Sequence, residues 1–508
     1  MIIKKNMFNI QSLSIVLFIF FPAGLVAGSF VAELIMNLIS ALYLYTLIKK
    51  KKVEINFFFY IFIFFYIYIL INSHISDYSE KIFWKNFFYF RYVIFVYAVL
   101  NILNSNKNIL LLFYKCLAVF LFVVVIDGYI QYFFESNILG FTKYRPDRIS
   151  GLFNDRLILG SFLVRMLPLL AGLYLINQKK LSFLEKYVGL VLIISTFILI
   201  ILSGERTSFL MSLVIMTVFI FCIKFKYKIY FTFALMNFIL IIFIFNKNIS
   251  NRIINQTITQ VNFKFDKVNF FENFYYYSLT YETAYNGFLN KKIIGQGAGS
   301  FKYFCSQPHL EVSKQYQEQP SKKLTLDLSW KDRNLKIIKF YKKVGDEIRK
   351  GDLLLVYDDR KTLKNYYYTS IFSGRITSLV PIGNTVDSNA HLGTIDPDDN
   401  RPIQIKKNGC TTHPHNFTLQ LLSETGIIGF VYILIIYIYL IFKLIKICIF
   451  KLLKLKLNYN PLEIIITASF VVILFPLLPN GNFFNNWMSM ISFFLVPFYL
   501  FSLQKNYD

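Results

Sequence analysis

The sequence predicts an α-helical polytopic membrane protein of about twelve spans, whose long external loop carries a small all-β insert. Of its 508 residues, 56% are hydrophobic and only 16% are charged, whereas a soluble protein carries about 25% charged residues. Apolar runs near the roughly 20 residues needed to cross a bilayer recur along most of the chain. These observations exclude a cytosolic enzyme, a secreted disulfide scaffold and a disordered tail protein.

The formal net charge of +25 is placed in a way that indicates membrane topology. Basic clusters at 49–52, 224–228 and 443–456 each adjoin an apolar run, which is typical of cytoplasmic loops. Outside the apolar runs there is no basic stripe interleaved with aromatic residues, so we expect no nucleic-acid partner. The first apolar stretch continues into a second one without a small-residue cleavage site, so we expect no removable signal peptide.

With the basic clusters as cytoplasmic markers, both termini face the cytoplasm. Three segments then lie outside, namely the loop 134–156, the turn 203–207 and a long segment from about 247 to 416. The predicted spans are 8–27, 30–48, 55–73, 87–104, 109–133, 157–177, 184–203, 208–223, 229–246, 420–442, 462–479 and 485–503.

The long external segment changes character along its length. We predict a membrane domain with nine spans over 1–246, a largely helical loop over 247–319, a β insert over 320–406, and the last three spans within 407–508. In the insert, short alternating strands are separated by glycine-containing turns. The clearest strand patterns are 323–328, 353–357 and 375–380.

Two of the five cysteines, Cys305 and Cys410, are external and bracket the β insert. A bridge between them would join the two ends of the insert in an oxidising compartment, and such a closure contributes about 4–5 kcal/mol in the chain-entropy model. The alternative is two unpaired thiols. Cys116, Cys222 and Cys448 lie in or beside spans, where they are read as small apolar side chains.

The stretch 413–429 carries the clearest chemical signal. Two of only five histidines, His413 and His415, lie there at the external mouth of a membrane helix. An imidazole with a pKa of about 6.5 can act as a base at neutral pH. Further along the same helix, Gly426 and Gly429 are expected to allow close packing against a neighbouring helix.

This stretch resembles the signature of the O-antigen ligase/O-antigen polymerase superfamily. The signature is His, then Asn, Ser or Gln, nine residues, Gly, two residues and Gly; His415, Asn416, Gly426 and Gly429 fit it without a gap. The resemblance covers residues 110–305 and 405–430, and the N-terminal spans only by hydropathy. Further segments similar to the family are 127–133, 148–153 with 160–161, 203–207 and 281–282 with 294–297.

The resemblance implies a GT-C-like glycosyltransferase of the bacterial inner membrane with its large loop in the periplasm. Such proteins transfer a glycan from undecaprenyl diphosphate to a lipid A-core sugar (ligases) or to another carrier-linked glycan (polymerases), in lipopolysaccharide or surface polysaccharide biosynthesis. The reaction needs no metal or cofactor. The spacing around His415 favours a ligase, with a polymerase as the alternative. A lipid-linked glycan flippase is the alternative of another class, but its typical internal repeats and broken helices are not visible in the sequence.

Roles follow from the chemistry of the transfer. The acceptor hydroxyl needs a base, for which His415 is the candidate. The leaving diphosphate needs fixed cations, and arginine suits this through its planar donor fork, so Arg206 and Arg148 complete the predicted catalytic set. Arg165 lies inside the sixth span, where an unpaired charge is expensive; it is expected to pair with Asp127 or to reach the same phosphates.

A wider set is predicted to bind substrate or shape its site, although each member has a structural alternative. The two catalytic arginines can instead reach the headgroups. Pro414 fixes the backbone beside His413, which can serve only to shape the loop. His413 and His415 lack a third metal ligand, so no metal is expected. Glu424 either pairs with an arginine or caps the turn entering its helix. The predicted substrate-binding residues are His413, Asn416, Arg165, Asp127, Gln131, Glu424, Tyr281 and Glu282.

The insert resembles the biotinyl/lipoyl-like barrel-sandwich of periplasmic adaptor proteins. Lys361 lies near the position of the cofactor-bearing lysine of carrier domains, but the attaching enzymes are cytosolic and this module is expected outside. We therefore expect a structural insert or a docking surface for envelope proteins. The residues that carry the resemblance are Gly345-Asp346, Gly351-Asp352-Leu353, Ser373-Gly374-Arg375-Ile376 and Gly383-Asn384-Thr385-Val386.

Overall fold

The structure is a computed structural model of the chain, and its residues fall into two compact units. One unit comprises Met1–Glu311 with Asn408–Asp508, and the other comprises Val312–Lys407. The residues that the structure describes are 2–50, 55–106, 108–143, 147–222, 228–260, 277–307, 310, 312–315, 324–327, 335–349, 352–359, 364–369, 374–379, 385–386, 391–397, 404–407, 409–453, 455 and 460–504.

The first unit is helical. Its helices are α1 (Ile2–Ala27), α2 (Ser29–Lys50), α3 (Phe57–His74), α4 (Ser79–Phe87), α5 (Arg91–Ser105), α6 (Ile109–Phe134), α7 (Leu159–Asn177), α8 (Phe183–Leu202), α9 (Arg206–Cys222), α10 (Lys228–Phe245), α11 (Lys247–Ser250), α12 (Gln256–Gln260), α13 (Ser278–Asn290), α14 (Phe301–Phe304), α15 (Phe417–Leu452), α16 (Pro461–Ile473) and α17 (Asn486–Gln504).

Many of these helices have the length and composition of membrane spans. In the described part of the chain, nine helices are long and apolar enough to cross a membrane. Three shorter apolar helices cover Arg206–Cys222, Leu235–Phe245 and Pro461–Ile473. The prediction of a mostly helical multi-pass membrane protein is thereby confirmed, and each predicted span overlaps one of these helices. The number of crossings stays a prediction.

The span predicted over 462–479 ends early. Helix α16 stops at Ile473, and the chain then forms a loop over 474–485. Pro476 and Pro479 lie in this loop, and a proline lacks the N–H that a helix interior requires. The early end frees the loop to contact the start of α15.

The contact between α7 and α16 fixes which helix ends lie together. A Cβ atom on Gly172, near the end of α7, would lie against Leu462 at the start of α16. Because the two helices also pack against each other extensively, this pairing of one end with one start makes them antiparallel, and the start of α7 at Leu159 lies toward the end of α16 at Ile473. We call this end of the bundle, where α7 and α15 begin and α16 ends, the loop end.

The second unit is made of antiparallel strands. Its two four-stranded sheets have the orders β2-β9-β7-β4 and β6-β5-β3-β8, and β1 pairs with β10 where the chain enters and leaves the unit. The strands are β1 (Val312–Gln315), β2 (Leu324–Asp327), β3 (Leu335–Phe340), β4 (Glu347–Ile348), β5 (Leu353–Asp359), β6 (Lys364–Thr369), β7 (Gly374–Leu379), β8 (Thr385–Val386), β9 (His391–Pro397) and β10 (Gln404–Lys407).

The turns of the insert show a repeated hydrogen bond. The carboxylate of Asp346 accepts from the backbone N–H of Lys343 at 2.8 Å, and that of Asp352 accepts from Arg349 at 3.0 Å. Aspartate favours turns for this reason. Because the sheets are small, the barrel-sandwich stays a prediction, and Lys361 lies outside the described residues.

A disulfide joins Cys305 to Cys410 at the two ends of the chain segment that holds the insert, with 5.2 Å between their Cα atoms. Both cysteines belong to the helical unit. Beside the bridge, the N–H of Gly409 donates to the side chain of Thr283 in α13 at 3.0 Å. The segments that lead into and out of the insert are therefore anchored on the helical unit.

Deletion of residues 320–404, with both cysteines retained, is expected to leave the helical unit folded. The insert is a compact unit of its own, and the disulfide holds its two ends close together in the helical unit. Membrane abundance and melting temperature should match those of the full chain. Degradation of the shortened protein, with the bridge formed, would mean that the insert is part of the folding core.

Candidate functional site

His415 lies at the loop end, just before α15, in an unusual backbone conformation. Its φ angle is 57°, a left-handed value that non-glycine residues rarely adopt. Its carbonyl accepts from the N–H of Asn480 at 2.8 Å. Its ring centre is 5.3 Å from that of Tyr277 and 4.1 Å from that of His413. The loop 474–485 and two rings thus fix the position of this imidazole; below, His413, His415 and Tyr277 are called the histidine mouth.

Asn416, predicted to bind substrate, begins helix α15. Its side-chain oxygen accepts from the N–H of Leu419 at 3.0 Å, and its side-chain nitrogen donates to the carbonyl of Pro476 at 2.8 Å. Asparagine is a favoured N-cap because it satisfies a free N–H of the first turn. The side-chain amide of Asn416 thus fixes the start of α15, directly after His415.

Burial keeps both imidazoles neutral. Burial lowers the pKa of His415. Burial first, and then the charge of His415, lower the pKa of His413 to about 3. The Nδ1 of His413 is 2.9 Å from the hydroxyl of Thr412. A neutral imidazole at pH 7 can accept a proton, as a general base must.

The stability of the protein is expected to fall as the pH is lowered below 6.5. The unfolded chain binds a proton on His413 at about that pH, whereas the folded chain binds it only near pH 3, so the folded state loses about 2 kcal/mol between pH 6.5 and 5. His413→Asn should flatten this part of the profile. Equal pH dependence of the melting temperature in the variant and the wild type would contradict the assignment.

Helix α15 is broken at Gly426, which has φ 63° and ψ −168°. A Cβ atom there would overlap the carbonyl of Ile293. The expectation that Gly426 packs a continuous helix against a neighbouring helix is therefore wrong. The glycine instead interrupts the helix and lets another backbone enter, because no side chain occupies the space and positive φ carries no penalty.

The backbone that enters the break is the glycine-rich segment 292–297. The N–H of Gln296 donates to the carbonyl of Ser423 at 2.9 Å, and the N–H of Ile427 donates to the carbonyl of Lys292 at 2.9 Å. These bonds satisfy groups that the interrupted helix leaves unpaired, as a buried break requires. The segment 292–297 is thereby bound inside the helical unit.

Glu424 holds the next part of this segment. Its side chain is 1% exposed, and its carboxylate accepts from the N–H of Gly299 at 2.9 Å, from the N–H of Phe301 at 3.0 Å and from the side-chain amide of Gln420 at 3.0 Å. Of the two predicted roles of Glu424, the structure shows capping. The turn that it caps, however, leads into α14 and not into its own helix. Three donors offset the cost of burying this carboxylate.

Two asparagines that the sequence analysis missed clamp the same segment from α3 and α4. Asn72 accepts from the N–H of Ala298 at 2.7 Å and donates to the carbonyl of Ile294. Asn86 donates to the carbonyl of Ala298 at 2.8 Å. Both side chains are almost fully buried. Asn72 interrupts the apolar run of the third predicted span, a signal that could have identified it.

Gln420 connects the break to the histidine mouth. Its amide nitrogen donates to Asn482 at 2.8 Å, and its amide oxygen accepts from the N–H of Phe483 at 2.9 Å. Both partners lie in loop 474–485, whose Asn480 holds the carbonyl of His415. Gln420 therefore bridges Glu424 and the loop that holds the carbonyl of His415.

A second polar cluster at the loop end surrounds Glu205. This carboxylate is 3.7 Å from Arg148 and accepts from the N–H of Gly160 at 2.9 Å and from the hydroxyl of Ser208 at 3.1 Å. Burial raises the pKa of Glu205, and the charge of Arg148 opposes this shift. Arg148 also donates to the carbonyl of Leu157 at 2.7 Å. We call Arg148, Arg165 and Glu205 the arginine cluster.

Arg165 and Asp127, both of which the structure describes, do not form the ion pair given as one alternative. Arg165 is 2% exposed and donates to the carbonyl and hydroxyl of Ser161 at 2.7 and 2.9 Å. Asp127 accepts from the side chain of Asn137 and from the N–H of Ile138. Asp127 therefore organises the loop that follows α6, since it satisfies donors of that loop.

Gln131 has a similar part in the same loop. Its amide oxygen accepts from the N–H groups of Ser150 and Gly151 at 2.8 and 2.7 Å, and its nitrogen donates to the carbonyl of Phe141 at 3.1 Å. The side chain is fully buried. Its amide therefore shapes the loop that carries Arg148.

The remaining predicted residues lie on α9 and α13. Arg206 is the first residue of α9, directly follows Glu205 in the chain and is half-buried. Tyr281 is 3% exposed and stacks on Tyr277 with 5.5 Å between ring centres, so it helps to fix the ring that contacts His415. Glu282 is the next residue of α13 and is half-buried.

Comparison of the chain with protein-family models, with curated proteins and with solved structures found no match. In the described part of the chain, no three potential metal-ligating side chains come together. The arrangement at the loop end offers a neutral imidazole as a base and guanidinium groups as fixed cations.

Proposed function

We propose that this chain is an O-antigen ligase-like glycosyltransferase. The observation that carries the proposal is the half-buried imidazole of His415, whose pKa is lowered by burial and which lies directly before Asn416 at the start of α15. The spacing between His415 and Gly426 sets the length of the first part of α15, because Asn416 begins the helix and Gly426 interrupts it. Insertion of a residue between them would shift the break relative to the start of the helix.

In the proposed reaction, the acceptor hydroxyl transfers its proton to a ring nitrogen of His415 as its oxygen attacks the anomeric carbon of the donor sugar. The bond between that carbon and the diphosphate oxygen breaks, and undecaprenyl diphosphate leaves with the electron pair. The proposed donor is an undecaprenyl-diphosphate-linked glycan, and the acceptor is a lipid A-core sugar. The proposed location is the bacterial inner membrane, with the loop end in the periplasm.

The arginine cluster supports the site for the diphosphate. The start of α7, where Gly160 donates to Glu205 of this cluster, lies at the same end of the bundle as the histidine mouth. The buried Nε groups of Arg148 and Arg165 have no hydrogen-bond partner among the described residues. Because a buried unsatisfied donor is costly, such groups favour an anion that can accept from them. Arg206, which directly follows Glu205 in the chain, is the proposed third cation.

Arg148→Gln is expected to lower glycan transfer by about 10²–10³-fold, since a fixed cation at the leaving group is lost. Arg156→Gln is the matched control, because Arg156 lies in the same loop and is exposed. Surface polysaccharide on gels, compared at equal membrane abundance, measures the effect. Equal transfer by the two variants would show that Arg148 serves only to bind Glu205.

Complementation of two bacterial strains, one lacking the ligase and one lacking the polymerase, tests the proposal and its closest alternative. Polysaccharide attached to lipid A-core in the first strain supports a ligase. Longer glycan chains in the second strain support an O-antigen polymerase. Rescue of neither strain, with the protein present in the membrane, would contradict both.

The break in α15 favours a second candidate, a flippase for lipid-linked glycans. Broken helices with buried polar groups are typical of transporters, and the break at Gly426 is a feature of this kind that is not visible in the sequence. Proteoliposomes that hold lipid-linked glycan in both leaflets separate the candidates. Loss of lipid-linked glycan from the inner leaflet, with the bond between sugar and diphosphate intact, supports the flippase. Release of undecaprenyl diphosphate supports the transferase.

A further inference from the structure

A cavity of about 620 Å³ lies among α1, α2, α5 and the ends of α3 and α17. It is bordered by Gln504, the last residue of α17. Since α17 begins directly after loop 474–485 and runs for 19 residues, at 1.5 Å per residue it ends nearly 30 Å from the loop end. The cavity is therefore remote from both polar clusters.

The described part of the cavity lining is polar but uncharged. No Asp, Glu, Lys, Arg or His is among the described residues that line it. Amide and hydroxyl groups instead come from all five helices, interspersed with aliphatic side chains such as Ile39 and Leu100. The polar groups on which the argument rests are those of Gln11, Asn56, Tyr97, Asn101, Asn104 and Gln504.

Some of these groups hold the walls together. The hydroxyl of Tyr97 donates to Asn56 at 2.7 Å, and Asn104 donates to Gln504 at 3.2 Å. By contrast, Gln11 and Asn101 are exposed to solvent at the edge of the cavity, and their amides make no hydrogen bond with any residue that the structure describes. Each amide offers both donors and acceptors, and neither is needed to keep the walls in place.

We propose that this cavity binds a neutral, polyhydroxylated group, the chemistry of an uncharged sugar. Hydroxyl groups donate and accept, as the lining amides do, and the ring of Tyr97 with the aliphatic side chains provides a surface for sugar C–H groups. A charged head would meet no opposite charge in the described lining. The volume lies within the range of small-molecule sites, about 300–1,000 Å³. The sugar is either free or the head of a glycolipid.

The test uses the full chain, purified in an amphipol that contains no sugar. Binding of dodecyl maltoside is measured against dodecylphosphocholine, which has the same alkyl chain and a zwitterionic head. Dodecyl maltoside should bind saturably and more tightly. Gln11→Leu with Asn101→Leu should weaken it about ten-fold, and Thr46→Phe, which fills the cavity without removing an amide, should have the same effect.

Asn237→Leu is the control, because Asn237 is exposed on α10 and bonds only within its own helix; its affinity should match the wild type. Competition by free maltotriose would assign the site to a soluble sugar, and binding of the alkyl maltoside alone would assign it to a glycolipid head. Equal affinity for both detergents, unchanged in the cavity variants, would overturn the proposal. None of these outcomes depends on glycan transfer.

Discussion

Replacement of His415 by alanine or by asparagine is expected to lower glycan transfer by about 10²–10⁴-fold, the usual contribution of general acid–base catalysis. Neither side chain can accept the proton of the acceptor hydroxyl. Asparagine tolerates the left-handed backbone at this position better than alanine does. The asparagine variant therefore separates the loss of the base from strain in the loop.

His74→Ala is the matched control, because His74 is an exposed histidine at the end of α3 and lies outside the histidine mouth. Surface polysaccharide is measured on gels with membrane abundance in parallel. Transfer by His415→Asn at the level of the His74 variant would remove His415 from the mechanism. Loss of abundance in His415→Ala but not in His415→Asn would identify a backbone effect.

Gly426→Ala is expected to destabilise the helical unit by roughly 2–6 kcal/mol. A left-handed backbone costs an alanine about 1–3 kcal/mol, and the overlap of its Cβ with the carbonyl of Ile293 adds a packing penalty of similar size. Since the free energy of unfolding of a protein is only about 5–15 kcal/mol, little folded protein should remain. Membrane abundance and the melting temperature of the purified protein measure the loss.

Gly140→Ala provides the comparison within the same chain. Gly140 also has a positive φ, 81°, but no atom lies within 4 Å of a Cβ added there. This variant should therefore show the backbone penalty alone and remain abundant. Equal abundance of the two variants would mean that the segment 292–297 does not occupy the break in α15.

The helical part of this fold could be predicted because bilayer crossing demands long apolar runs, which are visible residue by residue. The three strand patterns predicted in the insert overlap β2, β5 and β7 for a similar reason, since alternation and glycine turns are local signals. The early end of α16 was missed, although Pro476 and Pro479 mark it. Hydropathy alone averages over such residues.

The candidate site could be predicted only in its chemical groups. His415 is conspicuous in a chain with five histidines, but its contact with Tyr277 depends on how α13 packs. The break at Gly426 was misread because a glycine in an apolar run is equally compatible with close packing. The ion pair of Arg148 with Glu205 joins loops 57 residues apart in the sequence, and no local pattern encodes such a partner.

The most direct test of the central claim is transfer by the purified wild-type chain in proteoliposomes. The reaction contains a synthetic undecaprenyl-diphosphate-linked glycan and lipid A-core, in the presence of a metal chelator. We predict equal amounts of glycosylated lipid A-core and free undecaprenyl diphosphate, with neither formed by His415→Asn. An intact donor, in the presence of correctly folded wild-type protein, would contradict the proposed enzyme.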